Sequence, residues 1–267
     1  YPGVLMSYYA PSLAARRFAG SELFLFLFDK PTEALPAEAW ADLLGVIDGR
    51  LRTGLQVTAC DTDYATYYDG ERVRIRVRLR NNRDEAVACV IRFSAKAPGE
   101  DTFTPITTAR RAPEGGDETE AVCDFVPGPG MGLWQIRVEV LADPDRAELL
   151  AVVGEPRVID RRDIGFMRLD RSVDTPEIVS VDGPRIRIEG RDAFWAGTHY
   201  YPSSSWWEWV WRDYRPFKAA SDFEGIRRAG YRIVRIWIDP IIDETVLRAM
   251  DAAIAEAARH GIVLDIC

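Results

Sequence analysis

Three short segments in the last third of the sequence carry side chains that recognise hydroxyl groups. Each segment ends an apolar run typical of a strand buried on both faces. Aromatic side chains offer a flat apolar face with a polar edge, and arginine and carboxylates form directional hydrogen bonds. Such a set favours a neutral, hydroxyl-rich ligand over a phosphate. The segments are His199-Tyr200-Tyr201, Arg235-Ile236-Trp237-Ile238-Asp239 and Asp265.

Two helical patterns separate the three apolar runs, and this order predicts a parallel βαβαβ unit. In the first helix, Ser221-Asp222-Phe223-Glu224 fits a capping box that starts at Ser221, and Gly230 fits a left-handed C-terminal cap. Asp243 is the predicted N-cap of the second helix. The apolar stripe predicted for this helix consists of Leu247, Met250, Ile254 and Ala257. Because the carboxyl ends of parallel strands meet at one edge, we expect the three segments on a single rim.

Both an open doubly wound sheet and a (β/α)8 barrel contain such a unit. The open sheet usually carries a Gly-rich phosphate turn after its first strand, whereas residues 200–205 are Tyr-Tyr-Pro-Ser-Ser-Ser. The missing glycines favour the barrel, and an open-sheet enzyme of another class is kept as a hypothesis.

The stretch from 186 to 267 resembles the opening third of the catalytic barrel of clan A glycoside hydrolases, the group of cellulases, mannanases and β-galactosidases. The first strand of that group has the form F-x-G-x-N-Y-Y, and F-W-A-G-T-H-Y-Y at 194–201 resembles it with one more residue between Phe and Gly. Its second strand, G-x-N-x-V-R-I, resembles residues 230–236, and its third, A-x-x-x-G-I-x-V-x-L-D, resembles A-A-R-H-G-I-V-L-D at 257–265, which is two residues shorter. His199 and Arg232 stand where the group carries asparagine.

The resemblance implies a retaining hydrolase of β-linked oligo- or polysaccharides that needs two glutamates and no cofactor. In the resembled group these glutamates follow barrel strands four and seven, so no catalytic residue is expected in this chain. The second-strand arginine of the group hydrogen-bonds the nucleophile, which implies a supporting role for Arg235. The resemblance and the strand ends together predict sugar contacts from His199, Tyr200, Tyr201, Trp206, Trp207, Trp237, Asp239 and Asp265. The alternative is a non-catalytic carbohydrate-binding or scaffolding protein with a degenerate barrel.

The rest of the chain is predicted to form further domains around a β-sandwich. Residues 54–160 are predicted to be immunoglobulin-like, because short alternating strands recur between turn signals. From Arg72 to Arg80, apolar residues alternate with five arginines, which we interpret as a solvated face neutralised by acidic neighbours. The neighbours proposed are Glu118, Glu120 and Glu139. Residues 1–53 are predicted to be the tail of an α/β unit, 161–192 a charged linker and a hairpin, and 193–267 the truncated barrel.

Length and composition limit the partners of the chain. A full barrel needs roughly 250 residues, so we expect a piece of a longer protein, inactive alone, whose missing remainder is its first partner. The net charge of −8 disfavours nucleic acid and anionic membranes. The sequence has two histidines and no C-x-x-C, which leaves a zinc site unsupported. Cys60, Cys89 and Cys123 are interpreted as buried thiols, and a disulfide among them is left open.

Overall fold

The computed structural model describes residues 6–9, 23–26, 37–142, 158–170, 179–188, 190–192, 196–202, 210–238 and 241–267. The helices are α1 (Ala37–Thr53), α2 (Pro216–Arg228) and α3 (Glu244–Arg259). The first ten strands are β1 (Met6–Tyr9), β2 (Leu23–Phe26), β3 (Leu55–Thr62), β4 (Thr66–Tyr68), β5 (Val73–Asn81), β6 (Cys89–Lys96), β7 (Thr104–Arg111), β8 (Glu118–Phe125), β9 (Gly132–Ala142) and β10 (Val158–Leu169). The remaining strands are β11 (Val179–Asp182), β12 (Arg185–Ile188), β13 (Arg191–Asp192), β14 (Gly197–His199), β15 (Ile233–Ile236) and β16 (Val263–Ile266).

Two β-sheets enclose one apolar core in the middle of the chain, which we call the sandwich. The larger sheet has the order β4-β10-β9-β6-β7 and the smaller β3-β5-β8. Neighbouring strands are antiparallel except β4 and β10, which run parallel. Apolar residues of both sheets fill the core, including the buried thiols of Cys60, Cys89 and Cys123, which are free. Burial raises the pKa of Cys60 to about 12, so this thiol stays protonated at neutral pH.

The alternation predicted for residues 72–80 is confirmed in β5, where the apolar residues are buried and the arginines between them point outward. The arginines pair with carboxylates at 2.7 to 3.8 Å, in the pairs Arg74–Asp124, Arg76–Asp63, Arg76–Glu120 and Arg78–Glu118. Glu118 and Glu120 therefore neutralise this face as predicted. Glu139 does not, because it lies on β9 of the other sheet and pairs with Arg92 there.

The sandwich extends beyond the predicted boundary at residue 160. Residues 161–169, predicted to be linker, continue β10 and pair with β9. The charged residues at the start of this stretch suggested a linker, but Asp163 pairs with Arg137 of β9 at 2.9 Å, and Phe166 and Met167 are buried. After it, β11 and β12 form the hairpin predicted at Asp182-Gly183, where Gly183 has a φ of 57°.

Helix α1, predicted from Pro36 to Arg52 as part of the N-terminal α/β unit, packs against β10 of the sandwich. The strand predicted at 23–28 is observed as β2, antiparallel to β1, while residues 27–36 lie outside the described residues. Where α1 crosses β10, a Cβ on Gly49 would lie 2.7 Å from the carbonyl oxygen of Ile159. The helix approaches the strand this closely because position 49 has no side chain.

We expect Gly49→Ala to lower the free energy of unfolding by about 1–3 kcal/mol, because the added methyl group overlaps the backbone of β10. The matched control is Gly45→Ala one turn earlier, where no described atom lies within 4 Å of the new Cβ. This substitution should raise stability by about 0.5–1 kcal/mol, since alanine is the better helix former. Urea unfolding measures both effects, and equal effects of the two alanines would contradict the packing described.

The predicted parallel βαβαβ unit is confirmed. Strands β14, β15 and β16 are parallel and in order, with α2 and α3 packed on one face of their sheet. The strands are shorter than the apolar runs, and residues 193–195 of the first run lie outside the described residues. No helix in the described ranges is long and apolar enough to cross a membrane.

Of two predictions about the helices of this unit, the first is wrong and the second is wrong at two of its four residues. Helix α2 begins at Pro216 with Arg215 as its N-cap, so Ser221 lies inside the helix and caps nothing. Proline is favoured in the first turn, where its missing N–H is not needed, and it starts the helix before the Ser-x-x-Glu pattern. On α3 the predicted stripe is confirmed at Ala257, which is buried, and at Met250, which packs against the core, but Leu247 and Ile254 are 48% and 43% exposed. The buried face consists of Val246, Ala249, Ala252, Ala253, Glu256 and Ala257, together with Arg248.

The predicted cap of α3 is confirmed. Asp243 precedes the helix in an extended conformation, and its Oδ1 accepts a hydrogen bond from the Val246 N–H at 3.1 Å. This hydrogen bond lowers the pKa of Asp243. Gly230 and Gly261, which follow the two helices, have φ values of 89° and 63°.

Candidate functional site

The face of the parallel sheet away from the helices gathers five of the predicted side chains. His199, Arg235 and Asp265 are in register on adjacent strands. Alternate residues along a strand share a face, which adds Tyr201 and Trp237 at the carboxyl ends. The residues that alternate with them in β15 are fully buried beneath the helices. We call these five side chains the rim.

Arg235 and Asp265 form an ion pair in the rim. The Nε and Nη2 atoms of Arg235 both lie 2.7 Å from Oδ2 of Asp265. This hydrogen bond raises the pKa of Arg235, so the guanidinium is charged and its plane is fixed. In the described part of the chain, Nη1 of Arg235 and Oδ1 of Asp265 have no partner. The pair therefore offers one donor group and one acceptor to a ligand.

Trp237 and Tyr201 form the aromatic part of the rim. The indole N–H of Trp237 donates to the Tyr201 hydroxyl at 3.2 Å, and its ring centroid lies 6.4 Å from that of His199. About half of each side chain is exposed, 48% for Trp237 and 52% for Tyr201. From below, the buried Trp211 donates its N–H to the main-chain carbonyl of Trp237 at 2.6 Å. The Trp237 ring is thus held by its edge and by its backbone while part of its surface stays open.

Tyr200 does not lie in the rim, contrary to the prediction that it contacts the ligand. Its side chain is 4% exposed, its hydroxyl donates to Asp222 at 2.9 Å, and its ring packs on Phe223 of α2. Burial raises the pKa of this hydroxyl. Successive residues of an extended strand point to opposite faces, so Tyr200 faces the helices because His199 and Tyr201 face the open side.

The other predicted contacts, Trp206, Trp207 and Asp239, lie outside the described residues, and their roles stay predictions. No group of three or more histidine, cysteine, aspartate or glutamate side chains that could hold a metal ion occurs in the ranges described. The rim offers hydrogen bonds and aromatic surface.

Sequence reasoning missed Arg248, which joins the sandwich to the βαβαβ unit. From α3 its guanidinium reaches Glu71 at 2.6 Å and the Thr66 carbonyl at 3.1 Å, and it lies 4.3 Å from the ring centroid of Tyr64. In return, the Thr66 hydroxyl donates to the Arg248 carbonyl at 2.6 Å. No local pattern signals these contacts, because the partners are 182 residues apart in the Thr66 case.

No known protein family matches this chain, and no curated protein matches it. Among solved structures, it is similar to the β-glucosidase EmGH1 from Erythrobacter marinus, with 13% identity and a TM-score of 0.34 over 44% of this chain and 16% of that one. A glycosyl hydrolase family 2 member from Bacteroides cellulosilyticus has 14% identity and a TM-score of 0.37, over 79% and 26%. The alkylpurine DNA glycosylase AlkC from Pseudomonas fluorescens has 13% identity and a TM-score of 0.33, over 51% and 40%. The neighbours thus include glycoside hydrolases, of whose length this chain spans a minor part.

Proposed function

We propose that this chain is the opening part of a retaining glycoside hydrolase that acts on β-linked oligo- or polysaccharides. In this proposal an immunoglobulin-like sandwich precedes the first three strands of a (β/α)8 barrel. One observation carries it: His199, Arg235 and Asp265 stand in register beside the hydrogen-bonded Tyr201–Trp237 pair, at the carboxyl ends of parallel strands. Active sites of parallel α/β folds occupy this end of the sheet.

Arg235 has the geometry to support a carboxylate nucleophile. Asp265 fixes the guanidinium through Nε and Nη2 and leaves Nη1 open. An arginine that donates to a nearby carboxylate stabilises its charged form, and a retaining mechanism needs an ionised nucleophile to attack the anomeric carbon. The partner acid protonates the departing oxygen and then activates water for the second step. Both carboxyl groups are assigned to later parts of the barrel.

The open sides of the sheet support the proposal that the remainder of the chain is its first partner. Within the described residues, β14 and β16 each pair with β15 alone. The outer surface of α3 also exposes Leu247 and Ile254. Unpaired strand edges and exposed aliphatic side chains are normally covered. Further strand–helix units packed beside β16 and α3 would cover the free edge of β16 and the exposed side chains of α3.

A second candidate is a carbohydrate-binding protein without hydrolytic activity. The ion pair of Arg235 with Asp265 favours this second candidate, because the guanidinium already has a counterion and needs no catalytic carboxylate. In this case the Tyr201–Trp237 pair stacks on a sugar ring, and no carboxylate needs to approach Arg235.

Assays of the longer polypeptide on β-linked oligosaccharides separate the two candidates. For a hydrolase we expect turnover with retention of configuration, and none from the 267-residue chain alone.

Arg235→Lys should lower kcat by on the order of 10²-fold, since the planar fork is lost where charge develops. Trp237→Ala should weaken binding by about 3- to 10-fold through lost stacking.

The matched control is Arg228→Lys, at an exposed arginine of α2 whose one ion pair within the described residues is with Glu224 of the same helix. It should leave kcat and KM unchanged. Binding that depends on Trp237 without turnover supports the second candidate. Neither turnover nor binding with any β-linked glycan rejects both.

A further inference from the structure

A cleft of about 310 Å³ lies between the sandwich and the βαβαβ unit. One wall is formed by residues 61–65, at the end of β3 and in the turn after it, and by residues 163–165 in β10. The other wall is the segment 211–218, which leads into α2, with Thr245 at the start of α3. None of the rim side chains lines the cleft, because they project from the sheet face away from the helices. The cleft is therefore a place separate from the rim.

Three of the seven charged side chains that line the cleft are neutralised by partners outside its lining. These pairs are Asp63–Arg76, Asp163–Arg137 and Arg212–Asp243, with N–O distances of 2.8 to 3.0 Å. Each pair holds opposite charges, so together they add no net charge. They also fix the walls in position, since two of the pairs lie within the sandwich and the third ties the segment before α2 to the cap of α3.

The remaining charges in the cleft also balance. Arg215 bridges the two walls, with its Nη2 3.0 Å from Asp213 and 3.5 Å from Asp61. Lys218, in the first turn of α2, has no ion-pair partner among the described residues. About half of the Asp61 side chain is exposed, and desolvation of the rest raises the pKa of its carboxylate. Asp213 uses only Oδ1 for Arg215, so its Oδ2 stays open as an acceptor.

The lining of the cleft includes the apolar side chains of Ile164 and Phe217. Gly165 of β10 has no side chain, and Phe217 of the opposite wall packs over it. A Cβ added to Gly165 would lie 3.3 Å from the Cβ of Phe217. That added Cβ would also lie 2.6 Å from the Trp134 carbonyl oxygen, so the position tolerates only glycine. The lining thus offers an apolar surface, while Asp61, Asp213 and Lys218 offer hydrogen-bonding groups.

We propose that this cleft is a binding site for a neutral polyhydroxylated ligand, a single sugar ring or a polyol. The charges of the cleft already balance, so a charged ligand would lose hydration and leave the cleft with a net charge. Vicinal hydroxyl groups instead donate to Asp61 and Asp213 and accept from Lys218, and the apolar face of the ring rests on Phe217 and Ile164. The volume lies at the lower end of the range of about 300–1,000 Å³ for ligand pockets, which fits one ring. The inference does not depend on the hydrolase proposal.

The test is an NMR titration of the 15N-labelled chain with glucose, glucitol, glucuronate and glucosamine at equal concentrations. Glucose and glucitol should shift the amide signals of Thr62, Gly165 and Lys218. Glucuronate and glucosamine should bind about tenfold more weakly, because each brings an uncompensated charge. A β-linked tetrasaccharide is a further probe. If it shifts these amide signals and glucose does not, the cleft binds the terminal sugar of a longer glycan.

Two variants probe the charge balance. The double variant Asp61→Asn, Asp213→Asn should weaken glucose binding and strengthen glucuronate binding, because the cleft becomes cationic. Lys218→Met should weaken glucose binding and favour glucosamine. Asp101→Asn, on an exposed turn of the sandwich, should change neither.

Trp237→Ala should leave the cleft shifts intact, which separates this site from the rim. Absence of cleft shifts with glucose, glucitol and the tetrasaccharide overturns the inference, as does equal affinity for the charged sugars.

Discussion

Asp160→Ala should lower the free energy of unfolding by about 3–5 kcal/mol, the range for breaking a buried ion pair from one side. Asp160 is 0% exposed. Its Oδ1 accepts from Nη2 of Arg50 at 2.7 Å and from Nη1 of Arg162 at 2.8 Å, while its Oδ2 accepts from the Val57 N–H at 2.8 Å. One carboxylate thus joins α1, β3 and β10. Its removal leaves the buried Arg50 guanidinium without this counterion.

Urea unfolding followed by circular dichroism measures the loss. Asp160→Asn keeps the shape but removes the charge, so it should fall between alanine and wild type. The matched control is Asp163→Ala on the same strand, whose pair with Arg137 is partly exposed and should contribute about 0–1 kcal/mol. If Asp160→Ala lowers the free energy of unfolding less than Asp163→Ala does, Asp160 does not hold these elements together.

Arg248→Met should lower the free energy of unfolding by about 2–4 kcal/mol, because methionine keeps the aliphatic packing and removes the buried fork. Burial opposes the charge of Arg248, but hydrogen bonds to Glu71 and Glu244 outweigh burial and raise its pKa. Without the arginine, the Thr66 carbonyl and the Glu71 carboxylate lose a donor. The contact of the guanidinium with the Tyr64 ring is lost as well.

The elements that lose protection from amide hydrogen exchange in Arg248→Met are as informative as the size of the stability loss. We expect amide hydrogen exchange to rise in α3 and β16 more than in β5 and β9, because Arg248 joins the two parts. Arg248→Lys should recover part of the stability, since a single ammonium cannot replace the fork. Arg228→Met, which removes an exposed arginine of α2, is the control and should change little. A uniform increase in exchange across both parts would contradict a joining role for Arg248.

The sequence predicted those features that depend on neighbouring residues. The period of two in β5 follows from half-burial of a strand, and the Asp243 cap needs only the N–H groups of the next turn. The rim row was predicted because parallel strands of similar length bring His199, Arg235 and Asp265 to one edge. These features need no knowledge of distant parts of the chain.

The errors arose where tertiary contacts or a shift of one residue decided the outcome. Tyr200 belongs to the same predicted strand end as Tyr201, yet the alternation turns it toward α2. Leu247 and Ile254 fit an apolar stripe as well as the alanines do, but the alanines allow α3 to pack closely. Residues 161–169 carry the charges of a linker, and only their pairing with β9 shows that they are a strand.

The junction formed by Thr66, Tyr68, Glu71 and Arg248 bears on how such a protein evolves by module exchange. Tyr68 also donates its hydroxyl to Asp251 of α3, so the short strand β4 bonds to this helix through two side chains, Thr66 and Tyr68. A gene fusion that placed another sandwich before the same helix would lose all of these partners together. The two units are therefore expected to be inherited jointly, and homologues that keep Arg248 should keep the acidic residue at position 71.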